Sequence, residues 1–182
     1  MRLARWTMIP KFMKRTRVLD VLFFSAWVIL SLPARAHDST QPPAGQHAIL
    51  TVKGDGVQVY ACQQVDAVAK WVFQAPEAKL FDASGKEVGA HGAGPFWKDI
   101  DGSLVRGQLV ANSKAPAAGD IAWLLLKASS HEGDGVLSKV EYIRRSETHG
   151  GVAPAGGCDA EHLGATVRVP YTATYAFYAG KN

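Results

Sequence analysis

Residues 166–178 read Thr-Val-Arg-Val-Pro-Tyr-Thr-Ala-Thr-Tyr-Ala-Phe-Tyr, and apolar side chains recur at every second position. This period of two is typical of a β-strand with one buried face, because successive side chains of a strand point to opposite sides. The predicted buried face carries Val167, Val169, Tyr171, Ala173, Tyr175 and Phe177, and the other face carries Arg168, Thr172 and Thr174. The stretch predicts a fold built from half-buried strands.

On the N-terminal side of this stretch, further strand-like runs are separated by turn signals and show no convincing helical period. They lie at residues 48–52, 57–62, 71–73, 78–81, 96–100, 104–111, 121–126 and 136–145. The continuous apolar run at 121–126 predicts a central strand buried on both faces. Roughly eight to ten strands without helices predict an all-β, single-domain antiparallel β-sandwich or closed β-barrel with long loops.

The connections are mostly short, which favours neighbouring antiparallel strands, and the glycine-rich loop at 150–157 is the expected crossing. Residues 54–56 (Gly-Asp-Gly) and 82–85 (Asp-Ala-Ser-Gly) have turn composition, and residues 63–70 suggest a short helical turn. Pro76 is expected to interrupt its strand. Residues 89–95 are too rich in glycine for a regular strand interior, which predicts a loop or a bulged edge.

The N-terminus has the composition of a secretory signal peptide. Basic residues precede an apolar run at 21–32, and Pro-Ala-Arg-Ala follows at 33–36. The run is well short of the roughly 20 residues that span a bilayer, so cleavage after Ala36 is expected rather than a retained anchor. The start codon (Met1, Met8 or Met13) stays open. The prediction is a periplasmic or secreted protein without a stable membrane anchor after cleavage.

Removal of residues 1–36 changes the charge balance of the chain. Seven of its 20 Lys and Arg residues and one of its 16 Asp and Glu residues lie in this leader, which leaves 13 basic and 15 acidic side chains. The remaining chain has a net charge of −2, so no nucleic-acid partner is expected. Residues 37–46 are polar and proline-rich and predict a disordered tail, followed by a single all-β domain at 47–182.

Cys62 and Cys158 are the two cysteines of the chain. In an oxidising compartment an even number of cysteines indicates a disulfide, and two buried free thiols are the alternative.

Several blocks of the sequence together resemble one uncharacterised family of secreted bacterial and fungal proteins, the domain of unknown function 3455. The blocks are 55–62, 88–89 with His91, 94–95 with Trp97, 101–103, 119–125, 150–154 with 157–158, and 169–171. Ala122 departs from the pattern, in which proline is expected. The resemblance implies export and a single domain, and it brings no established activity or catalytic residues.

The candidate chemistry concentrates in residues 89–103, where glycines, a proline, a histidine, a tryptophan and two aspartates lie together. Tryptophan and tyrosine offer flat apolar faces with a polar tip, which suit sugar rings and small amphipathic ligands. The leading hypothesis is a non-catalytic binding module for a small molecule or a cell-envelope saccharide. Its predicted site comprises His91, Trp97 and Asp101, with Tyr171 and Tyr175 as partners on the inner face, and Trp97 is expected at a pocket rim.

Two alternatives stay open: an exported hydrolase that uses His91 with Asp99 or Asp101, and a structural or surface-interaction protein. Ser103 completes the residue types of a hydrolytic triad but lies outside a Gly-x-Ser-x-Gly elbow, so turn chemistry is the simpler interpretation. No metal or cofactor is expected, because Asp159, Glu161 and His162 match no zinc spacing. The oligomeric state stays open.

Overall fold

The computed structural model describes residues 38–181. The predicted signal peptide, residues 1–36, lies outside the described residues and stays a prediction. The strands are β1 (Gln46–Val65), β2 (Val68–Phe81), β3 (Glu87–Gly92), β4 (Phe96–Asp99), β5 (Leu104–Ser113), β6 (Trp123–Glu132), β7 (Tyr142–Gly150) and β8 (Thr166–Gly180). Two short 3₁₀ helices lie at Val136–Lys139 and Ala160–His162.

The eight strands form one closed antiparallel ring. Each strand pairs with the next along the chain, and β8 pairs with β1 along most of its length. The all-β prediction is confirmed, and the closure makes the fold an irregular barrel. The prediction of a crossing at residues 150–157 is wrong, because the chain between β7 and β8 joins two strands that are hydrogen-bonded neighbours.

The interior is filled by the face of β8 that the alternating pattern predicts. Tyr171, Ala173, Tyr175 and Phe177 are all buried, whereas Thr172 on the opposite face is exposed. The inward aromatic rings pack with apolar side chains from the rest of the ring, namely Val52, Leu80, Trp97, Val105, Leu126 and Ile143. Removal of this apolar surface from water stabilises the closed ring.

The glycines at 54–56 serve close packing and do not form the predicted turn, because β1 continues through them. A Cβ atom at Gly54 would lie 2.6 Å from Cε2 of the buried Tyr175 ring. One at Gly56 would collide with the backbone of Glu77 and Ala78. Glycine at these positions therefore lets the ring of Tyr175 and the neighbouring strand β2 approach the backbone of β1.

Other predicted boundaries also shift. β2 runs through Pro76, which pairs with Gln58, and the register shifts nearby, where Gln74 of β2 has no partner between Ala75 and Phe73. Residues 63–70 form the β1–β2 hairpin and not a helical turn, with positive φ angles at Asp66 and Ala67. The predicted loop at 89–95 is shorter, because β3 extends to Gly92. The prediction at 121–126 holds from Trp123 onward, where both faces of the strand are buried at Leu125 and Leu126.

The segment that precedes β1 is anchored to the outside of the ring, contrary to the predicted disordered tail. Thr40 is completely buried, and Asp38 Oδ2 lies 2.6 Å from Arg144 Nη2. Burial alone would raise the pKa of Asp38, but hydrogen bonds from Thr40 and the Arg144 guanidinium lower it to about 2. The ion pair is therefore formed throughout the neutral range.

Cys62 and Cys158 form a disulfide, as predicted, and join β1 to the loop between β7 and β8. Disulfides persist in oxidising environments, which fits a protein that works outside the cytosol.

None of the helices in the described residues is both long and apolar enough to cross a membrane.

Candidate functional site

A small cavity of about 140 Å³ lies inside the ring. Its lining comes from six of the eight strands and from the turn between β3 and β4, and the exposed residues Phe73, Gln74 and Gly94 leave it partly open to solvent. The lining residues are Phe73, Gln74 and Pro76 from β2, His91 from β3, Gly94 and Pro95 from the turn, Trp97 from β4, Leu124 and Leu126 from β6, Arg145 from β7 and Tyr175 from β8.

Three aromatic rings form one wall of the cavity. The tight turn after β3 brings His91 directly opposite Trp97 in the antiparallel register. Their rings are stacked, with centroids 4.5 Å apart and planes 13° from parallel. The Tyr175 ring lies 5.0 Å from His91 and 5.6 Å from Trp97. The three rings are buried and contact one another, so their positions are fixed before any ligand arrives.

His91 is uncharged at neutral pH. Its Nδ1 lies 2.7 Å from the carbonyl oxygen of Phe96, and because a carbonyl can only accept, Nδ1 carries the proton and donates. Burial lowers the pKa of His91 to about 4, although the hydrogen bond to Phe96 opposes the shift. The lone pair of the imidazole is therefore on Nε2, which can accept a hydrogen bond.

Arg145 is the one charged side chain among the residues that line the cavity. It pairs with Leu124 of β6 on one side and with Tyr175 of β8 on the other. Its Nε and Nη2 both donate to the carbonyl oxygen of Ala122, at 3.1 and 2.8 Å. Within residues 38–181, no carboxylate lies within 4.0 Å of this guanidinium. The positive charge is therefore held in the wall without a counter-ion from the described chain.

Polar groups next to the aromatic wall are only partly satisfied. The Tyr171 and Tyr175 hydroxyls lie 3.0 Å apart. Burial raises the pKa of Tyr175 well above its usual value, and the charge of Arg145 opposes that shift. Trp97 Nε1 and Gln58 Nε2 are buried and have no hydrogen-bond partner among the described residues. The interior thus offers unused donors.

The structure brings together four of the five predicted ligand residues. His91, Trp97 and Tyr175 line the cavity, and Tyr171 adjoins it through the hydroxyl of Tyr175. Trp97 is only 1% exposed, so the expectation of a rim position is wrong. Asp101 does not line the cavity, because it lies in the turn beyond the opposite end of β4.

Asp101 has a structural role in this turn. Its Oδ1 accepts hydrogen bonds from the backbone nitrogen and hydroxyl of Ser103, and its Oδ2 accepts from the Val136 nitrogen at the start of the first 3₁₀ helix. Asp99 accepts from the Asp101 nitrogen. Neither aspartate contacts His91, whose Nδ1 bonds Phe96. The hydrogen bonds that a Ser–His–Asp triad needs are therefore absent among these residues, which all lie within the described chain.

No group of three or more His, Cys, Asp or Glu side chains is placed to hold a metal ion within residues 38–181. Asp159 and His162, singled out in the sequence, contact each other at 2.6 Å and are both exposed. Asp159 Oδ1 also accepts from the backbone nitrogens of Glu161 and His162, so it caps the second 3₁₀ helix.

Two larger depressions are open to solvent. One of about 660 Å³ adjoins the cavity at Pro76 and His91, and two of its four charged side chains, Glu77 and Arg168, already pair with each other at 2.6 Å. Another, of about 850 Å³, lies between the first 3₁₀ helix and the ends of β1 and β8. The interior cavity differs from both because it is less open and combines aromatic rings with a charge that has no counter-ion among the described residues.

Sequence reasoning missed Arg145, the residue that sets the charge of the cavity. The strand-like run at 136–145 has Val140 and Tyr142 as alternating apolar residues, whereas the strand begins only at Tyr142 and its fully buried apolar residue is Ile143. A period of two counted from Ile143 puts Arg145 on the inner face and Arg144 on the outer face. The apolar Ile143 is the signal that could have identified it.

Fold and site together define a class of small, disulfide-linked, closed β-domains with a partly enclosed aromatic cavity. The sequence model of a family described as "Protein of unknown function (DUF3455)" matches residues 43–179. The chain belongs to this family, as the resemblance implied. No curated protein and no solved structure matches the chain.

Proposed function

We propose that the protein is an exported, non-catalytic binding protein that holds a small molecule in the interior cavity. The observation that carries the proposal is the convergence of His91, Trp97, Tyr175 and an Arg145 without a counter-ion on one partly enclosed pocket. Ligand sites in proteins are concave and mostly apolar, with a few polar groups that fix orientation. The cavity has this composition.

The size and lining of the cavity favour a small molecule with an apolar body over a saccharide. Cavities of about 150 Å³ hold ligands the size of benzene, and the volume here is similar. Phe73, Pro95, Leu124 and Leu126 contribute apolar surface to the lining. A sugar chain needs a longer groove with polar groups along its whole length, so a saccharide ligand has less support than a small molecule.

Export is the second part of the proposal. It rests on the N-terminal basic and apolar pattern and on the disulfide between Cys62 and Cys158. A structural disulfide forms and persists in the periplasm or outside the cell. Determination of the N-terminus of the protein recovered from outside the cytosol tests this part. A protein that stays in the cytosol with residues 1–36 attached contradicts it.

Filling the cavity tests the binding site directly. Leu124→Phe adds a ring to the lining and should abolish the binding of two probes, benzoate and benzyl alcohol. Binding is measured by calorimetry and by the NMR signal of the Trp97 indole N–H. The matched control is Leu109→Phe, because Leu109 is 51% exposed on the neighbouring strand β5. This control should bind both probes as the unmodified protein does.

The proposal is wrong if neither probe binds to the unmodified protein. It is also wrong if Leu124→Phe binds the probes as tightly as Leu109→Phe does, because binding would then take place outside the cavity.

A further inference from the structure

We infer that the interior cavity selects anions, and that its ligand is a small monocarboxylate with an apolar body. This inference rests on the proposed function and specifies the ligand class of the same site. It is carried by two donor groups of the lining, the Arg145 guanidinium, which lacks a counter-ion, and Trp97 Nε1, which lacks an acceptor, and by the absence of any carboxylate from the lining residues.

The Arg145 guanidinium is the first of these donors. The Arg145 side chain is partly buried, so its charge is less well solvated than on the open surface, and the described residues supply no counter-ion. Two of its nitrogens share a single acceptor, the carbonyl oxygen of Ala122, and the other side chain indicated as its hydrogen-bond partner, the Tyr175 hydroxyl, is uncharged. Arginine binds carboxylates through parallel N–H···O bonds, so a bound carboxylate supplies both the charge and the acceptors that Arg145 lacks.

Trp97 Nε1 is the second donor. The side chain is 1% exposed, and this nitrogen has no partner among the described residues. An indole nitrogen can only donate, and a buried donor without an acceptor destabilises a protein by about 1–3 kcal/mol. Trp97 belongs to the lining, and carboxylate oxygens only accept, so a ligand of this class offers the kind of partner that this nitrogen lacks.

No other lining group offsets the positive charge. His91 is neutral at neutral pH and presents an acceptor, Nε2. Gln74 and the Tyr175 hydroxyl are uncharged. Acidic side chains that could receive a cation, such as Glu77, lie outside the lining. The cavity therefore favours one negative charge and disfavours a positive one.

The remaining lining determines the body of the ligand. Apart from Arg145, His91 and Gln74, the cavity is bounded by apolar or aromatic side chains and Gly94. Its volume of about 140 Å³ accommodates one ring-sized apolar group. Benzoate and its neutral analogue benzyl alcohol have nearly the same shape and differ in the charged group, which makes them a matched pair of probes.

The test compares the two probes by calorimetry at pH 7 and low salt. We expect benzoate to bind the unmodified protein at least tenfold more tightly than benzyl alcohol. Arg145→Gln should remove this preference. Arg144→Gln is the matched control, because Arg144 is the adjacent residue on the outer face, where it pairs with Asp38 and lies over Trp123. This control should keep the tenfold preference.

The outcomes separate this inference from the proposed function. If both probes bind equally and Leu124→Phe abolishes both, the anion preference is wrong while the cavity remains a ligand site. If neither probe binds, both proposals fail. Because Arg145→Gln removes the donors to Ala122 and can impair folding, the unmodified protein provides a second readout. Benzoate should move the Trp97 indole proton downfield by more than benzyl alcohol does, and equal shifts overturn the inference.

Discussion

His91 is a titratable side chain placed where its charged form is strongly disfavoured. It is 5% exposed and stacked on Trp97, and Arg145 contributes a repulsive positive charge. The hydrogen bond to Phe96 is present in both the charged and the neutral form of the ring, because Nδ1 carries a proton and donates in each. Folding therefore selects the uncharged imidazole.

The stability of the protein should consequently fall in acid. The folded pKa of His91 is about 4, below its ordinary value of 6.5, so the unfolded chain takes up a proton first as the pH drops. The stabilisation is complete above pH 6.5 and is lost between pH 6.5 and about pH 4, by about 3 kcal/mol in total. Urea unfolding of the unmodified protein and of His91→Gln across this range measures the difference. A variant with the same pH slope as the unmodified protein contradicts the assignment.

Residue types predict the aromatic half of the site but not its charge. His91, Trp97 and Tyr175 can be identified as candidate ligand residues from the sequence, because their flat rings suit ligand contact wherever they occur in a strand. Asp101 is close to Trp97 in sequence, yet a turn separates the two in space. Arg145 escapes detection because two adjacent arginines look alike in sequence, and only the register of β7 decides which one faces inward.

Among the individual strands, β1 shows why strand boundaries are harder to predict than strand faces. Glycine commonly marks a turn, and residues 54–56 have the composition of one. Glycine at position 54 is instead required by a contact with β8, more than 100 residues later in the chain, where the Tyr175 ring packs on Gly54. Such close approaches depend on tertiary packing and leave no local signal.

Gly54→Ala tests this contact. The added Cβ atom would lie 2.6 Å from the Tyr175 ring, which is completely buried and has little room to move. Overpacking of this kind typically costs about 1–3 kcal/mol, so the free energy of unfolding should fall by about that amount.

Gly156→Ala is the matched control, because a Cβ atom added there would meet nothing within 4 Å and its φ angle is not in the left-handed region. Denaturant titration of both variants provides the measurement, and the control should stay within about 0.5 kcal/mol of the unmodified protein. Equal stabilities for the two variants would mean that Tyr175 is not held against β1.

In the barrel as a whole, the loop between β7 and β8 is attached to the β1–β2 hairpin by several contacts. The disulfide joins Cys62 to Cys158, and the backbone of Cys62 exchanges hydrogen bonds with Gly164 and Ala165. The Tyr60 hydroxyl and the Trp71 indole donate to carbonyl oxygens of Gly151 and Gly156 in the same loop. The covalent link and the hydrogen bonds thus hold one end of the ring together.

The disulfide should account for a large share of the stability, because it restricts the unfolded chain. The two cysteines are 96 residues apart, and closing a loop of that length is worth about 4–5 kcal/mol in the chain-entropy model. The variant with both Cys62→Ala and Cys158→Ala should lose most of this amount in urea unfolding while keeping the native fold at low denaturant, since the hydrogen bonds of the loop remain. Reductant should destabilise the unmodified protein and leave the double variant unchanged. A loss below about 1 kcal/mol would show that the unfolded chain is already restricted without the covalent link.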